Sequence, residues 1–301
     1  MIQFERVSKV FKSELLGQPF EALDEVQFQV PEGSMVGFLG ANGAGKTTSL
    51  KIIMDFIRPT SGEVIFSPQL GVKREEIFKN IGYLPERPYF YQNLTGEEFL
   101  HFMGRLSELT DNQIKHEIEN WSPRFKIDYA LKRELKTYSK GMLQRIGFLA
   151  TILHGPKLII LDEPLSGLDP IGRKELKDVI IEVHKAGRTV FFSSHIVPDV
   201  EEICDRVIFL KEGKLIYDGA VSALMSQVKN QEYMISFQSD SDVAIQYKEK
   251  IKLAENVTRV VISAENKDEV LRRLVSSQAN ILSLELVKPS LEEIFYHTRG
   301  Q

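Results

Sequence analysis

The segment GANGAGKTT, from Gly40 to Thr48, constrains the fold of this 301-residue chain more than any other. It follows an apolar run that predicts a strand, SMVGFL, and precedes a run that predicts a helix, SLKIIMDFI. Glycines let the backbone wrap closely around an anion, and the first N–H groups of the following helix point towards it. The pattern G-x-x-x-x-G-K-[ST] between a strand and a helix therefore predicts a phosphate-binding loop.

The side chains of this loop predict the kind of phosphate that it binds. Lys46 is expected to reach the β- and γ-phosphates of a nucleotide, and the Thr47 hydroxyl is expected to ligate Mg²⁺. The other predicted nucleotide-binding residues of the loop are Asn42, Gly43, Ala44, Gly45 and Thr48.

A second segment, KLIILDEP at residues 157–164, places two acids directly after four apolar residues. A short apolar run of this kind is typical of a strand that is covered on both faces in a parallel sheet. Such sheets bind ligands at the carboxyl ends of their strands. Beside a phosphate-binding loop, the two acids predict that Asp162 holds Mg²⁺ together with Thr47, and that Glu163 orients or deprotonates the attacking water.

The alternation of β-rich and amphipathic runs predicts an α/β body over about residues 1–220, with a mainly parallel sheet. Residues 94–153, by contrast, carry only helix signals and predict a helical insertion. Thr95 and Glu98 form a capping-box pattern at its start. Two apolar stripes at helical spacing are expected to face the core. The first is Phe99, Phe102, Met103 and Leu106, and the second is Ile114, Ile118 and Trp121.

Residues 221–301 lack nucleotide-binding motifs and predict a small accessory α+β domain. The segment VSALMSQVKNQ predicts a helical connector, and EYMISFQ, NVTRVVIS and NILSLELV predict strands. Two further helices are predicted to begin with capping boxes at Asn266 and Ser290.

Two more segments, YSKGMLQR at 138–145 and SGLD at 166–169, resemble the signature motif and the D-loop of ABC ATPases. The resemblance covers about residues 1–220 and includes SSH, which ends at His195. It implies a P-loop NTPase fold with ATP and Mg²⁺ as cofactors. It also implies that two ATPase subunits, identical or paired, meet head to tail with two ATP molecules between them.

The resemblance implies roles for single residues as well. Ser139, which the pattern also predicts as the N-cap of a helix, and Gly141 are expected to grip the γ-phosphate held by the partner subunit. Asp169 is a further predicted nucleotide-binding residue. His195 is expected to sense the γ-phosphate, and with Lys46 and Glu163 it completes the predicted catalytic set. Phe11 occupies the place where the family stacks an aromatic ring on adenine.

The chain departs from the family pattern around the signature motif. Tyr138, Lys140 and Met142 differ from the LSGGQ sequence, although the serine and the second glycine remain. The next polar residues, Gln144 and Arg145, are expected on the helix surface.

A second departure lies in IGYLPERPYF, where Glu86 replaces the usual Gln. A carboxylate can also ligate Mg²⁺, so Glu86 is a predicted metal and nucleotide ligand, with an ordinary loop acid as the alternative. The aromatic residues that follow suit a groove facing a membrane partner, but they could equally pack the helical insertion.

The resemblance implies the ATP-hydrolysing subunit of an ABC transporter, held peripherally at the cytoplasmic face of the cell membrane by integral permease subunits. The tail KPSLEEIFYHTRG resembles the accessory domain of bacterial drug-, ion- or lipid-export ATPases and implies an exporter. The alternative is a soluble ABC ATPase acting on ribosomes or DNA. Such proteins usually carry a second cassette or a long coiled coil, and the sequence shows neither. An unrelated P-loop kinase would lack the signature and SGLD.

Composition and charge bear on the possible partners, on membrane-spanning segments and on disulfides. The net charge of −4 gives no electrostatic footprint for nucleic acid, so no nucleic-acid partner is expected. The longest nearly apolar stretch, IGFLATIL, falls short of the roughly 20 residues that span a bilayer. Cys204 is the single cysteine, which excludes an internal disulfide, and it is expected to be a buried small hydrophobe.

Overall fold

The computed structural model describes residues 1–12, 18–226, 232–239 and 243–287. The chain divides into two compact units, Met1–Val221 and Ser222–Gln301. The predicted capping box at Ser290 and the second half of the predicted connector lie outside the described residues. Among those residues, no helix combines the length and the apolar character needed to cross a bilayer.

The first unit contains both strands and helices. Its strands are β1 (Ile2–Phe11), β2 (Phe20–Val30), β3 (Met35–Leu39), β4 (Ser61–Phe66), β5 (Ile81–Leu84), β6 (Leu158–Leu161), β7 (Thr189–Ser194), β8 (Arg206–Lys211) and β9 (Lys214–Ala220). Its helices are α1 (Lys46–Ile53), α2 (Arg74–Lys79), α3 (Gly96–Leu106), α4 (Asp111–Trp121), α5 (Lys140–Ile152), α6 (Pro170–Lys185) and α7 (Val197–Ile203), and α8 (Val221–Ser226) follows at the boundary.

The larger sheet of the first unit has the strand order β5-β6-β7-β3-β8-β9. Its first five strands run parallel, and β9 pairs antiparallel with β8 at the edge. Every residue of β3, β6 and β7 is buried, as expected for strands covered on both faces. The prediction of a mainly parallel α/β body is therefore confirmed. Because β6, β7 and β3 are neighbours, the segments that follow them meet at one edge of the sheet.

A separate antiparallel sheet, in the order β2-β1-β4, was not predicted. Its aromatic side chains join the core of the parallel sheet: Phe4 stacks on Phe28 at 4.7 Å between ring centroids, and Phe28 lies 5.4 Å from Phe38 and 6.0 Å from Phe191. The sequence pattern marks these strands as β-rich but does not show how they pair.

The helical insertion consists of α3, α4 and α5. The capping box at its start is confirmed, because the Glu98 amide donates to Thr95 Oγ1 at 3.2 Å and the Thr95 amide donates to Glu98 Oε2 at 2.8 Å. The second stripe is buried as predicted. The prediction that the first stripe faces the core is only partly correct, since Phe102 and Leu106 are exposed. Contacts with α4 and α5 instead cover the side of α3 that carries Phe99, Leu100 and Gly104.

The second unit contains an antiparallel sheet of four strands in the order β11-β12-β10-β13. Its elements are β10 (Glu232–Gln238), β11 (Glu249–Ala254), β12 (Val257–Ser263), α9 (Lys267–Ser276) and β13 (Asn280–Val287). Side chains from α9 and from one face of the sheet form its core. The three predicted strands are confirmed, whereas β11 was missed because all of its residues are exposed.

Two smaller predictions have clear outcomes. The capping box at Asn266 is wrong: Asn266 precedes α9 but adopts a helical conformation at the end of a 3₁₀ turn, and its side chain makes no capping hydrogen bond. Cys204 is buried, as predicted.

Candidate nucleotide site

The loop between β3 and α1 takes its shape from glycines. Gly45 is the N-cap of α1 and has a left-handed φ of 104°. A Cβ atom on Gly45 would lie 2.6 Å from Leu23 Cδ2 and 2.7 Å from the Ala22 carbonyl oxygen, so no larger residue fits. The loop therefore turns tightly into α1 and directs the first amides of the helix towards the site.

Lys46, the first residue of α1, is buried beneath the loop. Its ammonium donates to the Gly40 carbonyl at 2.6 Å and lies 3.3 Å from Glu163 Oε1. Glu163 Oε1 is itself buried and accepts no hydrogen bond from the part of the chain that the structure describes. The 3.3 Å contact is thus an ion pair without hydrogen-bond geometry, and it leaves this carboxylate oxygen available to another donor.

Ser193, near the end of β7, holds both acids that follow β6. Its hydroxyl donates to Asp162 Oδ1 at 2.6 Å and accepts the Glu163 amide at 2.8 Å. Thr47 Oγ1 lies 3.4 Å from the same Asp162 oxygen. Burial raises the pKa of Asp162, and the hydrogen bonds from Ser193 and Thr47 oppose that shift. Sequence reasoning missed Ser193, whose only signal was its place in SSH.

Glu163 stands in an unusual backbone conformation. Its φ is 50°, in the left-handed region that non-glycine residues seldom adopt. On the side away from Lys46, Glu163 Oε2 lies 2.8 Å from His195 Nδ1. The structure therefore brings the three predicted catalytic side chains together, with Glu163 between Lys46 and His195.

These groups open into a pocket of about 330 Å³. The pocket is lined by Phe20, Ala22, Ala41, Asn42, Gly43, Gly45, Lys46, Thr47, Thr48, Glu86, Glu163, Ser166 and His195. Ala44 is buried within the loop. Phe11 does not line the pocket, and the Lys9 ammonium lies 5.1 Å from its ring centroid. Its cross-strand neighbour Phe20, which sequence reasoning missed, contributes an exposed ring instead.

Besides Phe11 and Ala44, three predicted nucleotide-binding residues do not line the pocket of their own chain. Ser139 is the N-cap of α5, as predicted, and its Oγ accepts the Met142 amide at 3.3 Å. Gly141 follows in the first turn. Asp169 is the N-cap of α6. Both helix starts are exposed, so their side chains are accessible to a second molecule.

The prediction that Gln144 and Arg145 are surface residues is wrong. Gln144 is buried and donates to the Pro164 carbonyl at 2.9 Å, next to Glu163. Arg145 donates to the Phe125 carbonyl at 3.0 Å and to Glu175 Oε2 at 2.5 Å. Most of α5 is enclosed by other elements, so its polar side chains reach internal acceptors rather than solvent.

The oxygen donors around the loop fit Mg²⁺. Thr47 and Asp162 offer a hydroxyl and a carboxylate, the hard ligands that Mg²⁺ prefers, and Glu86 adds a carboxylate at the pocket wall. The described residues hold no preformed cluster of three or more acidic, His or Cys ligands. Mg²⁺ usually takes one or two protein carboxylates and completes its shell with phosphates and water.

Two family models match the chain. The model described as "ABC transporter" matches residues 23–166, and the one described as "ATP-binding protein DrrA1-3-like, C-terminal domain" matches residues 219–298. A solved structure described as the ATP-binding subunit of an ABC transporter is similar, with a TM-score of 0.65 and 28% identity, over 75% of this chain and 92% of that chain.

Relatives extend the similarity along nearly the whole chain. An uncharacterized ABC transporter ATP-binding protein of Synechocystis sp. is 33% identical over 293 residues, covering 96% of this chain and 82% of the relative. The bacitracin transport ATP-binding protein BcrA of Bacillus licheniformis is 32% identical over 289 residues, covering 93% of each chain. The chain therefore belongs to the family of ABC transporter ATP-binding proteins, which are ATPases.

Proposed function

We propose that this protein hydrolyses MgATP to drive a separate membrane permease, and that the transporter is an exporter. The observation that carries the proposal is the meeting of Lys46, Glu163 and His195 in one pocket beside the phosphate loop. Export is supported by a relative named for bacitracin transport and by the match of residues 219–298 to a DrrA-like C-terminal domain.

The contacts of Glu163 support its role as the base that activates water. In the structure Lys46 contacts Glu163, but a polyphosphate carries more negative charge and competes for the same ammonium. Transfer of Lys46 to phosphate leaves Glu163 Oε1 without its cation and ready to accept a proton from water. His195 holds the other oxygen of Glu163 and keeps the carboxylate in place.

Thr47, Asp162 and Glu86 are the residues that we propose for Mg²⁺. The cation would neutralise charge on the phosphates during hydrolysis. A cation would also ease the crowding of negative charge, because Asp162, Glu163 and Glu86 stand near one another and two of them are buried.

Head-to-tail dimerisation is the second part of the proposal. Ser139 and Asp169 lie at exposed helix starts and outside the pocket of their own chain, where a second subunit can present its ATP to them. Helix N-termini favour anions, so the start of α5 suits a phosphate, whereas the start of α6 already holds the Asp169 carboxylate. The partner is a second copy of this chain or a paired ATPase subunit.

A cluster of exposed aromatic side chains follows Glu86 and is proposed to contact the permease. Tyr89 is 84% exposed and Tyr91 is 51% exposed. Tyr91 packs edge-on against the exposed ring of Phe102, with 5.3 Å between centroids. Beside Phe102 lies a cavity of about 580 Å³, lined by Thr95, Glu97, Glu98, His101, Phe102, Arg105 and Lys132. Exposed aromatic patches of this kind mark interaction sites.

We also propose that residues 1–220 form the nucleotide-binding domain and that residues 221–301 form an accessory domain. The match of a separate C-terminal family model from residue 219 supports this division. A peripheral position at the cytoplasmic face of the membrane follows from the proposed permease.

The partner can be tested by purification from native membranes. A tagged chain extracted in detergent should co-purify with an integral membrane protein, and Tyr91→Ala combined with Phe102→Ala should lower its yield at least about fivefold because the aromatic cluster is lost. Tyr247→Ala, which removes an exposed aromatic from the second unit, serves as the control. Recovery of ribosomes or DNA instead would contradict the transporter.

Glu163→Gln should bind ATP and hydrolyse it at least ~100-fold more slowly, since a positioned base contributes that much or more. The variant should also accumulate as an ATP-bound dimer, because hydrolysis normally reopens the interface. Phosphate release and light scattering measure the two effects. Near-normal turnover would show that Glu163 is not the base.

Glu86→Gln should keep hydrolysis within about tenfold, or ~1.4 kcal/mol of barrier, because an amide oxygen can take the place of the carboxylate. Glu86→Ala should lose more, since no oxygen remains. In Mg²⁺ titrations of the ATPase rate, the Gln variant should need more Mg²⁺ than the wild type. If both variants match the wild type at every Mg²⁺ concentration, Glu86 is an ordinary loop acid.

Ser193→Ala should lower kcat about tenfold or more while ATP binding persists. A hydrogen bond to a charged group contributes about 1.5–3 kcal/mol, and Ser193 holds both acids. Ser194→Ala is the matched control, because within the described part of the chain the Ser194 hydroxyl bonds to the Ile196 backbone and to neither acid. Equal rates for the two variants would mean that Ser193 does not position the acids.

A further inference from the structure

The segments that begin α5 and α6 contact each other within one subunit. The Lys140 ammonium stands directly over Gly167, where φ is 71° and a Cβ atom would collide with it. A Cβ atom on Gly141 would meet Leu168 Cδ2 at 3.4 Å. The two helix starts that are proposed to reach the partner's ATP are therefore packed side by side.

One acid joins these helices deeper in the structure. Glu175 lies in the second turn of α6 and accepts two hydrogen bonds. One comes from Arg145 Nη2, in the second turn of α5, at 2.5 Å, and the other from Lys126 Nζ, in the loop between α4 and α5, at 2.7 Å. The hydrogen bonds from Lys126 and Arg145 lower the pKa of Glu175, so it is ionised at neutral pH. Arg145 also donates to the Phe125 carbonyl, so three segments converge on this pair.

This pair is partly buried and less exposed than ordinary surface ion pairs. The Arg145 side chain is 16% exposed and that of Glu175 is 23% exposed. Charge-assisted bonds of this kind are short and fix geometry, whereas exposed pairs contribute little. A second contact between the insertion and α6, from Arg124 Nε to Glu182 Oε1 at 2.6 Å, is more exposed and does not involve α5.

We propose that Glu175 is a positioning residue for the reaction. By holding Arg145 and Lys126, it fixes α5 and the loop between α4 and α5 against α6, so that Ser139 and Asp169 are held at a set spacing towards the partner's ATP. This role rests on the proposed head-to-tail dimer. The role of Glu175 concerns the assembly of two subunits. The pocket of the single subunit is unchanged, because Glu175 does not line that pocket.

The test compares three forms of the full chain: Glu163→Gln alone, Glu163→Gln with Glu175→Gln, and Glu163→Gln with Glu182→Gln. Light scattering over a range of protein concentrations with saturating MgATP gives the dimer dissociation constant. A fluorescent ATP analogue at high dilution gives the affinity of the monomer for nucleotide. Emission from Trp121, the single tryptophan of the chain, reports whether the insertion is folded.

Glu175→Gln is expected to weaken the ATP-bound dimer at least tenfold while the monomer's ATP affinity stays within twofold. Glu182→Gln should change both quantities less than threefold. With Glu163 intact, Glu175→Gln should lower kcat about tenfold and leave KM for ATP nearly unchanged. If Glu175→Gln unfolds the insertion, Arg145→Lys replaces it: the charge remains, but one ammonium cannot bridge Glu175 and the Phe125 carbonyl as the guanidinium does.

The possible outcomes distinguish a failure of the role proposed for Glu175 from a failure of the proposed dimer. If Glu163→Gln alone does not dimerise with ATP, the proposed dimer is wrong and the role of Glu175 is wrong with it. If that form dimerises and the Glu175 variant dimerises equally well, only the inference is overturned. If the Glu175 variant loses ATP affinity in the monomer to the same extent as dimerisation, Glu175 supports the fold and is not a positioning residue.

Discussion

Two hydrogen bonds made by one serine connect the ends of two neighbouring strands, and the geometry of the site depends on them. Ser193 on β7 donates to Asp162 and accepts the amide of Glu163, the two residues that follow β6. The parallel register places Leu161 beside Phe192, so the residues after each strand end are brought side by side. With the loop after β3 held against the same edge, the sheet itself sets the distances among Lys46, Glu163 and His195.

Three acidic side chains lie at this edge of the sheet, and two of them are buried. Glu163 contacts Lys46 and His195, Asp162 bonds to Ser193 and Thr47, and Glu86 Oε1 lies 3.9 Å from Arg87 Nε. Because two of the three acids are buried, their ionisation is costly, and the raised pKa of Asp162 expresses that cost. A divalent metal with a triphosphate adds both a cation for the acids and an anion for the lysine. This distribution of charge supports the proposal that the site binds a metal–nucleotide complex.

The sequence allowed the parallel sheet, the phosphate loop and the helical insertion to be predicted because each depends on local patterns. Buried strands read as unbroken apolar runs, and the Thr95 capping box is a contact between near neighbours in sequence. What could not be predicted depends on pairing between distant segments. Ser193 is a site residue only because β7 lies beside β6, and Arg145 is internal only because α5 is enclosed by other elements. Phe20 likewise enters the pocket through the pairing of β1 with β2.

The left-handed backbone of Glu163 sets a limit on how stable this fold can become. A residue with a Cβ atom in that region costs on the order of 1–3 kcal/mol, and the surrounding hydrogen bonds must hold it there. Glycine would relax the torsion at no steric cost, but it would remove the carboxylate that faces Lys46 and His195. With Glu163 as the proposed base, a variant that gains stability by relieving that strain would hydrolyse ATP more slowly.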